Sequence, residues 1–87
     1  MATKTPIWKI STAKDFGDAV RSARKRMRLK QSQAARLCGV GVRFLSDLEN
    51  GKETLHIGKV LQVLNGLGLA ASLGPKKPFW TEDGQRP

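Results

Sequence analysis

The sequence predicts an all-α domain of four or five short helices. Apolar residues recur at helical spacing in four segments, glycines stand where two of these segments should end, and alternation of apolar and small residues is confined to a short stretch near residue 70. An 87-residue chain holds one domain, which is only marginally stable alone. We expect an extended arm at residues 1–11, the domain at 12–73 and a flexible tail at 74–87.

The first helix should begin after Thr12. Thr12 can cap the helix, and Asp15, three residues later, completes a shortened capping box and complements the positive end of the helix dipole. The apolar residues that follow share one face, which we expect to be buried: Phe16, Ala19, Val20, Ala23 and Met27.

The second helix should run from about Gln31 to Cys38 and the third from about Gly41 to Asn50. Small inward residues on the second helix allow a neighbouring helix to approach closely: Ala34, Ala35 and Cys38. Gly39 fits the position just past a helix end, where a positive φ is cheapest for glycine. On the third helix, Leu45 and Leu48 are the inward residues.

A fourth helix is predicted from about His56 to Gly66, followed by a strand. The predicted inward face of this helix comprises Ile57, Val60, Leu61 and Leu64. The alternating residues of the next segment suit a short strand: Leu67, Leu69, Ala71 and Leu73. A single strand leaves its edges unpaired, and its simplest partner is the same strand of a second copy. The sequence therefore predicts a homodimer joined by these four residues.

The charge distribution favours a polyanionic partner. Eight Lys and Arg residues, with no acidic residue among them, lie between Asp18 and Asp47, and the net charge is +9. A membrane surface is a weaker alternative, because no helix combines a basic face with an aromatic or leucine-rich one. No apolar run approaches the roughly 20 residues that span a bilayer. The first eight residues lack a secretory core segment, so we expect a cytoplasmic protein without a membrane partner.

The residue inventory argues against an enzyme and against a metal or other cofactor. Cys38 and His56 are the only cysteine and histidine, which excludes an intramolecular disulfide, a cysteine-based zinc cluster and a histidine pair. We find no nucleophile with a matched base, no carboxylate pair in an apolar setting and no phosphate-binding loop. An RNA-binding protein would need surface aromatics that stack on single-stranded bases, and these are lacking.

Two helices joined by a short glycine-containing turn form the pattern of a helix-turn-helix. In that motif the second helix enters the DNA major groove, while the N-terminus of the first points at a phosphate. Arg43 is the residue that we expect to contact guanine, Val42 suits a thymine methyl group, and Asn50 and Lys52 suit the backbone. The candidate DNA-binding residues are Arg28, Lys30, Gln31, Ser32, Gly41, Val42, Arg43, Ser46, Asn50 and Lys52.

Residues 12–69 resemble the Xre-type helix-turn-helix of phage and bacterial repressors, which have a lambda-repressor-like fold. The resemblance is carried by the segment 24–31 and by Ala34-Ala35, Gly39-Val40, Leu45-Ser46 and Leu48-Glu49-Asn50-Gly51. It implies that Gln31, Val42, Arg43, Ser46 and Asn50 face DNA. It also implies a structural salt bridge between Arg24 and Glu49.

The chain departs from this family pattern at three positions. Arg28 stands where glycine is usual, which predicts a slightly strained turn. Lys30 stands where Ser or Thr is usual, which predicts a helix cap weaker by up to about 1 kcal/mol. Phe44 occupies a position that is usually small or polar, and the sequence leaves open whether it packs inward or forms an exposed patch.

The overall layout is similar to that of HipB-type antitoxins. These are homodimeric repressors that bind their own operon and a HipA-like Ser/Thr kinase toxin, and paired C-terminal strands join the dimer. The resemblance implies an inverted-repeat DNA operator, and toxin binding by Phe79 and Trp80 in the tail. The alternative is a stand-alone Xre-type regulator without a toxin partner.

Overall fold

The computed structural model describes residues 7–76, which contain four helices: α1 (Ala13–Arg26), α2 (Gln31–Cys38), α3 (Val42–Glu49) and α4 (Ile57–Gly66). The predicted helices are therefore confirmed, with bounds that differ by about one residue. Helix α3 packs against α1 and α2, and α4 packs against α2.

The start of α1 has the predicted capping box. The Thr12 hydroxyl accepts a hydrogen bond from the Asp15 N–H at 3.0 Å, and the Asp15 carboxylate accepts from the N–H groups of Thr12 and Ser11 at 3.1 and 2.9 Å. The hydrogen bond from the Ser11 N–H is the main cause that lowers the pKa of Asp15 below its ordinary value. These bonds satisfy backbone donors that the first turn of a helix leaves free.

Gly17 allows α1 and α3 to approach each other closely. A Cβ atom at this position would lie 2.7 Å from the backbone oxygen of Glu49 and would also clash with the oxygen of Leu48. Any larger residue would therefore push the two helices apart. The sequence pattern alone did not single out Gly17.

The core lies where the four helices meet, and it contains most of the predicted inward residues. Its buried members are Val20, Ala23, Ala34, Ala35, Cys38, Leu45, Leu48, Val60, Val63, Leu64 and Leu67. Cys38 is a buried free thiol, and burial raises its pKa. Phe16 packs against this core from its edge, as does Phe44.

The predicted inward face of α4 is wrong at two positions. Ile57 and Leu61 are 65% and 47% exposed, whereas Val63, which the prediction omitted, is fully buried. The buried face of α4 consists of Val60, Val63 and Leu64, and the buried Leu67 continues it. Ile57 and Leu61 lie outside this face. The helix is therefore rotated relative to the prediction.

The predicted strand is not formed by the single chain. Leu67 is the C-cap of α4 and is buried in the core of its own domain, after which Gly68 turns the chain with a φ of +73°. Within the described range, residues 69–76 form neither helix nor strand. Residues 7–76 place no strand of their own beside this segment, so the dimeric sheet stays a prediction. Leu67 packs in the core rather than on a strand face.

The arm and the C-terminal segment together line an apolar groove of about 520 Å³. Trp8 is half-buried, whereas Ile7 is 91% and Ile10 42% exposed. The groove is lined by Ile7, Trp8, Ile10, Phe16, Ala19, Leu64 and residues 68–73. Phe79 and Trp80 lie outside the described residues. Among residues 7–76, none of the helices has the length and hydrophobicity of a membrane-spanning segment.

Candidate nucleic-acid interface

The turn between α2 and α3 consists of residues 39–41 and is held by backbone and side-chain hydrogen bonds. Gly39 has a left-handed φ of +74°, and the Val40 N–H donates to the Ala35 oxygen at 3.0 Å. The Gln62 amide of α4 donates to the backbone oxygens of Cys38 and Gly39 at 2.8 and 3.1 Å. This contact, which the sequence did not predict, fixes the turn to the domain.

A buried carboxylate links α3 to α1, as the family resemblance implied. The Arg24 guanidinium donates Nε to Glu49 Oε2 at 2.6 Å and Nη2 to Oε1 at 2.9 Å. Its Nη1 donates to the backbone oxygen of Leu29 at 2.9 Å, which ties the turn before α2 to the same group. Arg21 Nε lies 3.5 Å from Glu49 Oε1. The predicted salt bridge is confirmed.

Glu49 is 1% exposed, so its charge depends on these partners. Burial acts to raise the pKa of Glu49, but hydrogen bonds from Arg24, Gln31 and Arg21 outweigh it and hold the pKa below the ordinary value. The hydrogen bond between Arg24 and Glu49 also raises the pKa of Arg24. Glu49 is therefore ionised at neutral pH, and the pair is part of the scaffold.

Gln31 joins the N-terminus of α2 to the C-terminal end of α3. Its side-chain amide donates to Glu49 Oε1 at 3.1 Å, and the residue is half-buried. The neighbouring Ser32 is exposed at the start of α2, and Asn50, the C-cap of α3, is exposed at the adjoining helix end. The structure thus brings the start of α2, with Ser32, and the end of α3, with Asn50, to one side of the domain. Both residues were predicted to bind DNA.

The structure confirms both features predicted for the turn before α2, the strained backbone at Arg28 and the weak helix cap at Lys30. Arg28 has a φ of +60° and is the only non-glycine residue with positive φ in the described chain. Lys30 is the N-cap of α2, and its side chain makes no capping hydrogen bond. The Gln33 side-chain oxygen accepts from the Lys30 N–H at 2.8 Å, so one half of a capping box is present. Both cationic side chains are exposed.

Helix α3 turns its predicted DNA-contacting residues away from the core. Val42 is 46% exposed, Arg43 is exposed and Ser46 is half-buried. Leu45 and Leu48 are buried on the opposite side, as predicted. Such an exposed helix face, next to a turn, has the geometry that a major groove accepts.

Gly41 leaves open space at the start of α3. It is the N-cap of that helix, and a Cβ built on it would have no neighbouring atom within 4 Å. Gly41 was predicted as a DNA-binding residue, and its exposed backbone can approach a duplex closely.

Lys52 is exposed just beyond α3, but it is not free. Its ammonium lies 3.7 Å from Asp47 Oδ2. Asp47 stands one helical turn after Arg43 on the outward side of α3, and the sequence pattern did not single it out. The signal that would have found it is its i+4 spacing from Arg43.

The structure decides the two alternatives for Phe44. Its ring is half-buried and packs against the core rather than forming an exposed patch. The Lys59 ammonium of α4 lies 5.9 Å from the ring centroid, within range of a cation–π contact. Residues 7–76 contain no group of three potential metal ligands.

Comparisons with known proteins agree with this geometry. A family model described as a helix-turn-helix domain matches residues 15–73. An uncharacterised HTH-type transcriptional regulator, y4mF of Sinorhizobium fredii, is 49% identical over 65 residues, which cover 75% of this chain and 86% of the relative.

Among solved structures, similar chains occur in a HipB–O4 20mer complex and a HipA–HipB–O2–O3 complex. Each has 22% identity and a TM-score of 0.74, and the match covers 82% of this chain and 100% of the other. The restriction-modification controller protein C.AhdI of Aeromonas hydrophila is similar at 22% identity and a TM-score of 0.60, covering 67% of this chain and 84% of that one. The chain therefore belongs to the Xre-type helix-turn-helix family of DNA-binding transcriptional regulators.

Proposed function

We propose that this protein is a sequence-specific repressor that binds an inverted-repeat operator as a homodimer. The observation that carries the proposal is the exposed face of α3, which adjoins the N-terminus of α2 in a region rich in cations. The cations between Asp18 and Asp47 outnumber acids eight to none. The positive electrostatic potential of these cations attracts a DNA duplex, and α3 has a suitable shape to enter the major groove of that duplex.

The DNA-contacting residues divide into two groups by their position. Arg43, Val42 and Ser46 lie on α3 and would contact base edges, with Arg43 donating two hydrogen bonds to a guanine. Gly41, the N-cap of α3, belongs to the same groove-facing group. The remaining residues would contact the phosphate backbone: Arg28, Lys30, Gln31, Ser32, Asn50 and Lys52. Gln31 would act with its amide oriented by Glu49.

Homodimerisation would pair the C-terminal segments of two copies. Leu69 is half-buried, whereas Ala71 and Leu73 are exposed, and all three line the groove beside the arm. An apolar segment with unpaired backbone groups is a template for pairing with a second strand. Leu67 would support this strand from within the core rather than contact the partner.

We further propose that the protein is the antitoxin of a HipBA-like operon, with a HipA-like Ser/Thr kinase as its toxin. The likeness to HipB chains over their whole length supports this, as does the C-terminal tail. Phe79 and Trp80 stand among prolines and charges, a composition that suits binding to a partner pocket. The alternative is a regulator without a toxin, because the relative from Sinorhizobium fredii is described only as an HTH-type transcriptional regulator.

Two experiments test the proposal. A footprint of the protein on the DNA upstream of its gene should show dyad symmetry, with half-site centres about one helical turn, or a whole multiple, apart. A footprint without symmetry would contradict dimeric operator binding. Co-expression with a kinase-fold protein from the adjacent gene should yield a complex that deletion of residues 75–87 abolishes. If no such gene or complex exists, the alternative without a toxin is correct.

A further inference from the structure

We infer that Asp47 is a specificity-determining residue of α3. Its carboxylate accepts a hydrogen bond from the exocyclic amine of a cytosine and weakens binding to duplexes that present another base there. This inference rests on the proposed function, because it requires α3 to lie in the major groove.

The position of Asp47 on α3 supports a contact with a base. Asp47 follows Arg43 by one helical turn, so the two side chains share the side of α3 that faces away from Leu45 and Leu48. The Asp47 side chain is 30% exposed. The other acid of α3, Glu49, is buried against Arg24. Asp47 is therefore the acid that α3 presents to a duplex.

The ion pair with Lys52 gives Asp47 a second state. The Nζ–Oδ2 distance is 3.7 Å and the two side chains are 51% and 30% exposed, which makes this a weak pair that a stronger partner can replace. On DNA, the Lys52 ammonium can move to a phosphate. The carboxylate of Asp47 is then left without a cation and needs a donor from a base.

The chemistry of the major groove selects cytosine as that donor. Cytosine presents an amine donor there, whereas guanine presents two acceptors, thymine an acceptor and a methyl group, and adenine a donor beside an acceptor. A carboxylate has only acceptors, so it gains a hydrogen bond at cytosine and is repelled at guanine or thymine. On DNA of unrelated sequence, the same negative charge opposes the attraction of the phosphates.

The unaltered protein is first used to select duplexes from a random pool. Its Kd is then measured for the selected site and for every single-base substitution of that site. The panel is repeated with Asp47→Ala and Asp47→Asn. Asp18→Asn is the matched control: it removes the same charge from another exposed Asp–Lys pair, in which Lys14 Nζ lies 3.0 Å from Asp18 Oδ1. Helical circular dichroism establishes that each variant is folded.

The unaltered protein should prefer cytosine at one position per half-site by roughly 5- to 100-fold in Kd. Asp47→Ala should reduce this preference to about 2-fold or less, and Asp47→Asn should shift it towards adenine, the base that an amide contacts with two hydrogen bonds. Both variants should bind a duplex of unrelated sequence several-fold more tightly than the Asp18→Asn control does.

The possible failures are distinguishable. If the Asp47 variants keep every base preference of the unaltered protein, this inference is overturned while sequence-specific binding stands. If the unaltered protein selects no sequence from the pool, the proposed function itself is wrong.

Discussion

At the scale of single residues, Glu49 connects three helices of the domain. Its carboxylate is bound by Arg24 from α1, Gln31 from α2 and, at longer range, Arg21. Because Arg24 also donates to the Leu29 oxygen, one buried acid fixes the positions of α1, α3 and the turn before α2. The orientation of α3 in the domain therefore depends on an ion pair whose carboxylate is buried and whose guanidinium is only 11% exposed.

Replacing Glu49 by glutamine should lower the free energy of unfolding by about 3 kcal/mol, because it leaves the Arg24 charge buried and unpaired. Urea denaturation at pH 7 measures this change. Glu53→Gln, at an exposed position, is the control and should have little effect. A loss below about 1 kcal/mol would show that the pair contributes no more than a surface ion pair.

The same carboxylate predicts a dependence of stability on pH. The folded-state pKa of Glu49 lies below its unfolded value, so its contribution is complete above roughly pH 4.3 and is lost as the pH falls through the folded pKa. Denaturation midpoints measured from pH 7 to pH 2.5 should therefore fall in acid. The fall should be shallower in Glu49→Gln, and parallel curves for the two proteins would contradict this account.

Arg28 is a residue at which stability and function should oppose each other. Its φ of +60° lowers the stability of an L-residue by about 1 kcal/mol. Glycine avoids this strain, but its greater freedom in the unfolded chain cancels part of the gain. Arg28→Gly should thus raise the urea midpoint slightly and weaken DNA binding. Lys25→Gly, inside α1, is the control and should lower stability by about 1 kcal/mol. A lower midpoint for Arg28→Gly would remove the argument from strain.

At the scale of helices, the sequence predicted what local chemistry decides. The capping box at Thr12 and the left-handed Gly39 lie where their residue types require, because a cap or a helix end depends on a few neighbouring atoms. The buried face of α4 depends on how that helix sits on α2, which explains why Leu61 was misassigned and Val63 missed. The contact between Asp47 and Lys52 likewise follows from the path of the chain after α3.

The start of α2 is a weakly capped helix end that bears on the site. The Lys30 ammonium cannot accept a hydrogen bond, and only the Gln33 half of the capping box is present. Lys30→Ser should raise the free energy of unfolding by about 0.5–1 kcal/mol, which thermal or urea denaturation detects. Lys9→Ser, at an exposed arm position, should leave stability unchanged. Equal midpoints for all three proteins would show that the cap is already satisfied.

At the scale of the whole molecule, residues 7–76 form two surfaces that a single copy leaves uncovered. One is the surface formed by the exposed side of α3 and the N-terminus of α2. The other is the apolar groove between the arm and residues 68–73. A domain of this size gains stability when a second copy covers apolar area. The strand predicted from the alternation of Leu67, Leu69, Ala71 and Leu73 would need such a second copy to pair with, which is a physical reason why a single chain lacks it.

Leu73→Asp tests the dimer directly. Leu73 is fully exposed in the single chain, so the substitution should leave the fold intact while it places a charge where we propose that the segments of two copies pair. Sedimentation equilibrium should show a monomer, with weaker operator binding. Leu61→Asp, at an exposed position of α4, should remain dimeric. A dimeric Leu73→Asp would place the interface elsewhere.

The central claim is that α3 contacts bases while the surrounding cations contact phosphates. The most direct measurement is the affinity of Arg43→Ala and Lys30→Ala for a panel of operator variants over a range of salt concentrations. Arg43→Ala should lose discrimination at one position per half-site, by roughly 1–3 kcal/mol. Lys30→Ala should weaken all duplexes alike and reduce the salt slope by about one per subunit. Identical behaviour of the two variants across the panel would contradict the claim.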